Sequence, residues 1–549
     1  MPTVFTGDKR KRIFIIISLF LLYFILQLCF VNDMWFGTDE LDVFLGGKSI
    51  ARGYTLYKDY CSQHMPVAYY FSAVFDLLGA KNVETQRIAY YAFFSCMWTI
   101  IYLKYKTVVN GKALLIFPIV QMSAEQTYDL GTQILCEHIV AIGAVMLLLE
   151  FYRYYLTREI AIKDCIFISI SVFLMFGCTF VCVLGILAIG VGYSLQTLWF
   201  GICSIKKWKK LIIDTLKLFG IILVPWIVLG IIYVINGNLE RVIYFVYQFN
   251  TDVYSKYAGG AYSSIKNQLI AMLSYSQNTY LSLLDSVWNG LVLFDFRIDG
   301  SRWCFYKCFL QLILMTVFVI HIIHRAIEKK IMLVITEIFY LFFLTFRGIF
   351  NFHETHLTAL LSMITCIEMF ELFNLVGGGT KPIWKIMRGA TQGAVVFVLV
   401  VGYLYNADFK EALPVTIATS EEATIIDALT DESESIGLTT LDTWICMISD
   451  RAACPNVGGT PWHWEVYGEK WVDIDDITEL PKIAIYEETF EVWGYKQVEY
   501  APELKKIFNE YYVFLPTSSN KLYIRKDYYE EAMSNLEQAG IVVESLDNE

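Results

Sequence analysis

Between the first long apolar run and the next lies a segment dense in side chains that can move protons or meet charge. Asp39-Glu40, Asp42, Lys48, Arg52, Lys58-Asp59 and His64 all fall within residues 37–70. Carboxylates beside a bilayer are costly to desolvate and usually mark a site. A carboxylate or histidine in hydrogen-bond reach of a hydroxyl can take its proton, and Arg, Lys or His can meet a departing negative charge. Glu125, Asp129, Glu137-His138, Arg347, His353-Glu354 and His356 supply the same types further along. Neighbouring residues on a helix point about 100° apart, so Asp39 and Glu40 are expected to do different jobs. Thr38 can also cap a helix there, with the acids complementing its dipole; the two roles are compatible. Other chemistries lack their residues. There is no G-x-S-x-G elbow and no H-E-x-x-H pair, and Gly377-Gly378-Gly379 follows a helical pattern without a Lys-Ser/Thr.

The elements that must position these residues are apolar. The 549 residues are 56% hydrophobic and 16% aromatic, which fits a polytopic membrane protein. Ile13–Val31 is long enough to span, follows the basic run Lys9–Arg12 and lacks a small-residue cleavage site, so it reads as an uncleaved first helix with a cytoplasmic N-terminus. Ten further spans are expected near 88–103, 113–123, 132–150, 165–181, 183–202, 211–235, 303–324, 331–346, 357–376 and 390–405. With eleven spans, the basic clusters at 104–112, 153–163, 206–210, 325–330 and 381–388 fall on the inner side and the C-terminal tail falls outside. Pro66–Gly79 and Tyr280–Phe294 are read as interfacial or re-entrant helices, since spanning there would turn Lys206–Lys210 outward. Pro66 suits the first turn of such a helix.

Charge divides the chain. Residues 406–549 carry 29 acidic and 10 basic side chains, leaving 25 acidic and 33 basic in the remainder. The expected domains are therefore a membrane part, 1–405, with a first external loop at 32–87, and a soluble extracytoplasmic part, 406–549. In the tail, Glu421–Leu429 and Tyr528–Ala539 have helical patterns and Lys482–Tyr486 and Leu522–Arg525 strand patterns, giving a small α/β domain. Tyr244, Tyr247, Tyr254, Tyr257 and Tyr262 punctuate an outer loop. Basic residues sit in short clusters between apolar runs, so there is no nucleic-acid footprint. Most of the 13 cysteines lie in apolar stretches and read as packing, as do Cys304 and Cys308. Cys446 and Cys454, in the polar tail, are left open as a pair.

The stretch 33–75 resembles the first external loop of GT-C glycosyltransferases of family 39. The likeness rests on Asp39-Glu40, on G-x-x-L-Y-x-D-Y at Gly53–Tyr60 and on H-x-P-x-x-Y-Y at His64–Tyr70. A second area, 340–360, is similar at Arg347, although His353-Glu354 stands where the family has His-Tyr. Tail phrases Ser449-Asp450-Arg451, Thr460-Pro461-Trp462, Leu480–Ile485 and Tyr500-Ala501-Pro502 are similar too. The resemblance implies an all-α polytopic GT-C domain of about 11 transmembrane helices and an inverting, multi-pass cell-membrane enzyme. Its donor is a polyprenyl-phosphate-linked sugar and its acceptor a glycan, lipid or protein of the cell envelope. It implies Asp39 as the base on the acceptor, Glu40 orienting the acceptor or a metal, and Arg347 and His353 on the carrier phosphate. Arg52, Tyr57, Asp59, His64, Glu137 and Glu354 are the remaining candidate substrate contacts. Trp462, Trp464 and Trp493 are candidate stacking faces for a glycan, or core aromatics. A divalent metal is left open, with Asp39, Glu40, Glu137 and His353 available to hold one. The rival readings are a transporter or flippase of lipid-linked sugars and an inactive glycan-binding relative. No half-to-half repeat, which transporters usually display, is evident.

Overall fold

The computed structural model describes residues 9–28, 38–125, 133–201, 205–254, 301–344, 355–376, 382–408, 420–454, 457–458, 477–492, 494–517 and 521–542. Asp129, Tyr257, Tyr262, Tyr280–Phe294, Arg347, His353, Glu354, Gly377–Gly379, Trp462, Trp464 and Trp493 lie outside them.

The protein is mostly helical with a small mixed sheet. Its helices are α1 (Lys9–Leu28), α2 (Thr38–Ala51), α3 (Val67–Leu77), α4 (Val83–Tyr105), α5 (Gly111–Glu125), α6 (Cys136–Thr157), α7 (Ile162–Phe176), α8 (Val183–Gly201) and α9 (Ile205–Ile235). They continue with α10 (Ser301–Ile327), α11 (Ile331–Leu344), α12 (Thr355–Val376), α13 (Pro382–Asp408), α14 (Glu421–Leu429), α15 (Thr443–Ile448), α16 (Glu503–Tyr511) and α17 (Tyr529–Gln538). Each of the eleven apolar stretches expected to span contains described helix. Three described helices, Cys136–Thr157, Ile212–Ile235 and Pro382–Val400, are both long and apolar enough to cross a bilayer. Several others are apolar but shorter, including Ile13–Leu28, Val183–Trp199 and Ile331–Leu344. The expected interfacial helix at Pro66–Gly79 is α3, with Pro66 as its N-cap. At 11 residues it is too short to span.

The chain forms two compact units. The first comprises Met1–Met34, Tyr90–Val228 and Leu269–Ala412. Its core lies where α5, α6, α12 and α13 pack together and where α8 meets α11. One buried cluster in it is balanced in charge. Lys104 reaches Glu150 at 2.5 Å and Asp164 at 3.2 Å, while Arg153 reaches Glu150 at 3.0 Å and Asp164 at 2.6 Å. Two acids and two bases thus close a neutral quartet, which the low dielectric demands.

The second unit comprises Trp35–Ala89, Leu229–Gln268 and Leu413–Glu549, so the first loop and the tail fold as one body. Besides a short hairpin at Glu491–Val492 and Tyr495–Lys496, its strands are β1 (Tyr60–Cys61), β2 (Ser435–Leu438), β3 (Ala452–Ala453), β4 (Val457–Gly458), β5 (Ile483–Ile485), β6 (Tyr512–Leu515) and β7 (Leu522–Arg525). The main sheet has the order β3-β2-β5-β7-β6. β2 runs parallel to β3 and β5, and β7 runs antiparallel to β5 and β6. α14 begins as its sequence dictates: the Ser420 hydroxyl accepts from the Ala423 N–H at 3.2 Å, with Glu421 and Glu422 in the first turn. β1 pairs with β4, Tyr60 opposite Val457, which ties the loop to the tail. Asn238 and Asn250 donate to the carbonyls of Leu56 and Gln63 at 2.8 and 2.9 Å, adding the residues after α9 to the same body.

α2 and α3 approach closely because Gly46-Gly47 presents no side chain at their contact. A Cβ on Gly46 would lie 2.4 Å from the Tyr69 ring, and one on Gly47 would lie 2.3 Å from Ser72 Oγ and 2.8 Å from the Ala73 nitrogen. The backbone neighbour at Gly47 leaves no cheap relief. Gly47→Ala is therefore expected to destabilise the second unit by about 1–3 kcal/mol through overpacking, read as a lower unfolding midpoint; an unchanged or raised midpoint would show that the helices have room to part.

Candidate active site

The acidic pair sits on the first turn of α2. Glu40 is fully buried and meets Arg87, itself 2% exposed. Arg87 donates from Nε to Oε1 at 2.8 Å and from Nη2 to Oε2 at 2.6 Å, a two-pronged pair of the kind that fixes both partners. Asp39, one residue earlier, is only partly buried. The helical offset between the two is what separates their surroundings.

Asp42, one turn on, is buried and accepts from two tyrosines. Tyr60 donates to Oδ1 at 2.7 Å and Tyr69 donates to Oδ2. Burial first, and then the neighbouring Asp42 charge, raises Tyr60 well above the ordinary tyrosine value, so it stays a donor. These tyrosines belong to the two motif phrases, and their geometry gives those phrases an architectural role. Tyr57, between them, is fully buried with φ of 67°, and its hydroxyl donates to the His64 carbonyl at 2.7 Å. The Asp59 carboxylate accepts from the Thr55 N–H at 2.7 Å, closing the turn. His64 is partly buried, with Nε2 3.2 Å from the Gln63 amide.

Two cations further along α2 converge on the tail. Lys48 has no exposed surface; its Nζ donates to Asp450 Oδ1 and to the Lys81 carbonyl, the latter at 2.8 Å. Arg52 Nη2 donates to the same Oδ1 at 3.0 Å and to the Asp450 carbonyl at 2.9 Å. Asp450 holds a left-handed φ of 49°, unusual for a residue with a side chain. The next residue, Arg451, donates to Thr430 Oγ1 at 2.9 Å and to the Thr430 carbonyl at 2.5 Å, anchoring the end of α14. The tail phrase Ser449-Asp450-Arg451 thus clamps α2 on one side and α14 on the other.

Glu137 lies in the first unit, partly exposed on the first turn of α6. His138 beside it is buried and stacks on Phe94 with ring centroids 6.1 Å apart. Glu125 is buried and accepts from Gln121 at 2.7 Å. Arg52, Tyr57, Asp59 and His64 belong to the second unit, as do Asp39 and Glu40. Among the described residues, no metal-ligand group forms around Asp39 or Glu40. Cys446 and Cys454 are free thiols, both buried, and burial pushes each up to about 12. Sequence reasoning missed the counter-ion Arg87 and the Lys48–Asp450 contact, since partners 47 and 402 residues apart leave no local signal.

No family model matches the chain, and no curated protein matches it.

Two expectations follow from the buried charges. Glu40→Ala leaves Arg87 without its carboxylate and is expected to cost about 3–5 kcal/mol, whereas the double replacement Glu40→Leu/Arg87→Met should cost less; equal losses would mean that the pair is not what Glu40 supplies. Lys48 reads out differently. Burial pulls its pKa below the ordinary 10.5, and the attraction of Asp450 offsets this only in part. Between the lowered value and 10.5 the unfolded chain holds more protons on Lys48 than the folded one, so this contribution to stability rises with pH. Unfolding midpoints of wild type relative to Lys48→Met should accordingly climb as pH approaches 10.5, and a flat difference would deny that Lys48 is desolvated.

Proposed function

We propose that this chain is an integral-membrane glycosyltransferase of the GT-C type, similar to family 39. It transfers a sugar from a polyprenyl-phosphate carrier to a cell-envelope acceptor on the outer face. The observation that carries this reading is the division within the acidic pair. Glu40 is buried on Arg87, which leaves Asp39 as the partly exposed carboxylate of that turn. A second support is that Trp35–Ala89, Leu229–Gln268 and Leu413–Glu549 fold as one unit. These segments overlap three of the stretches that the lysine and arginine pattern assigns to the outer side of an eleven-span chain.

In the reaction, Asp39 accepts the proton of the acceptor hydroxyl as the acceptor oxygen bonds to the anomeric carbon. The bond from that carbon to the carrier phosphate breaks, its electron pair leaves with the polyprenyl phosphate, and the anomeric configuration inverts. Glu40 and Arg87 hold the first turn of α2 so that Asp39 keeps its direction. Lys48, Arg52 and Asp450 hold the other end of the helix to the tail.

A positioned base contributes about 10²–10⁴-fold to rate. Asp39→Asn should therefore lower transfer from a radiolabelled polyprenyl-phosphate sugar by about that factor while leaving the unfolding midpoint near wild type. Wild-type turnover by Asp39→Asn removes Asp39 from the mechanism. Carrier translocation across liposomes without transfer would favour the transporter reading instead.

A further inference from the structure

A second cluster of chemistry-bearing side chains lies in the first unit, where α10, α11 and α12 meet. His321 and His324 are three residues apart on α10, facing Glu368 and Glu371, three apart on α12. Such spacing puts both members of each pair on one helix face. His321 Nδ1 lies 2.6 Å from Glu368 Oε1, and its Nε2 lies 3.1 Å from both Glu337 oxygens. Tyr152 donates to Glu337. His324 Nδ1 lies 2.9 Å from Glu368 Oε2. Its Nε2 is buried with no hydrogen-bond partner, the nearest carboxylate oxygen, on Glu328, being 3.9 Å away. His324 is 2% exposed, and His321, Glu337 and Glu368 are fully buried.

Charge is unbalanced here, unlike in the Lys104–Glu150–Arg153–Asp164 quartet. The permanent cations Arg325 and Lys330 pair with Glu328 and Glu371, whereas Glu337 and Glu368 pair with the histidines His321 and His324. Buried carboxylate in excess must be neutralised by protons or by a metal. One ligand atom each from His324, Glu368 and Glu371 lies within 4.8 Å of the others. Ligands around a tetrahedral ion with arms of about 2.1 Å stand roughly 3.4 Å apart, within the reach of small side-chain rotations. Arg325 reaches Oε2 of Glu371 at 2.8 Å. Trp384, edge-on to His324 at 5.5 Å, packs on Ile320, Leu372 and Met387 and supplies an apolar wall.

We propose that His324, Glu368 and Glu371 bind a divalent transition-metal ion, with His321 and Glu337 orienting Glu368 from behind. One imidazole and two carboxylates suit Zn²⁺ or Mn²⁺. In such sites the ligating carboxylates are themselves hydrogen-bonded by outer partners. This site is separate from the ligands considered around Asp39 and does not depend on the transferase reading.

The test uses full-length protein in detergent, purified without a metal resin. Its metal content is measured, and it is then stripped with EDTA and titrated with Zn²⁺ or Mn²⁺ alone while thermal unfolding is followed. The expected result is stoichiometric metal in wild type and a midpoint raised by one of the two ions. Affinity should fall on the order of tenfold or more in Glu371→Gln and about tenfold in Glu337→Gln. Should the variants not fold, Co²⁺ loaded into wild type decides: visible bands without a thiolate charge-transfer band report nitrogen and oxygen donors, whereas a strong thiolate band would assign the metal to the cysteines and overturn the proposal. Absence of retained metal together with no midpoint shift by either ion overturns it too, and leaves protons to neutralise the cluster, as does equal affinity in wild type and Glu371→Gln.

Discussion

Ion pairing in a medium of low dielectric governs this protein at every level. A carboxylate or ammonium withdrawn from water must meet an opposite charge, because the cost of leaving it alone is several kcal/mol per ion by general estimates of order. In the second unit Glu40 meets Arg87, and Lys48 and Arg52 meet Asp450. In the first unit Glu150 and Asp164 share Lys104 and Arg153. Asp39 stays partly exposed beside the buried Glu40, and the carboxylates around Glu368 outnumber the permanent cations near them.

The same constraint joins parts of the chain that are far apart in sequence. Asp450 sits in the acidic tail, yet its carboxylate serves two cations on α2. β1 and β4 pair across almost 400 positions, with Tyr60 opposite Val457. The helix that carries the acidic pair is thus held from both ends, by Arg87 at its first turn and by the tail at its last. Gly46-Gly47 between them lets α3 come near enough for Tyr69 to reach Asp42. If Asp39 is the base, the tail takes part in setting its position, whatever else the tail binds.

The phrases that carried the family resemblance turn out to be rich in structural bonds. Tyr57, Asp59, Tyr60 and Tyr69 close turns or satisfy Asp42. Much else was legible beforehand. Glu421–Leu429 and Leu522–Arg525 have the predicted bounds, and Lys482–Tyr486 contains the strand Ile483–Ile485, because local period and capping decide such elements. Strand β6 and helices α15 and α16 were not foreseen. Tyr512–Leu515, for instance, is short and flanked by aromatic residues whose burial is set by β7 and α16 rather than by any alternation of its own.

The amino-acid sequence by itself determined that the chain is built on apolar helices, that an acidic tail is set apart from a basic remainder, and that Asp39 and Glu40 face different surroundings. Those properties depend on composition and on the 100° step between helical neighbours. Tertiary structure alone decided which acid is buried on an arginine, that loop and tail share one body, and that two histidines and three glutamates from three helices converge in the first unit. Each of these depends on residues brought together from distant positions, and a pairing energy that exists only at contact leaves no periodic trace along the chain.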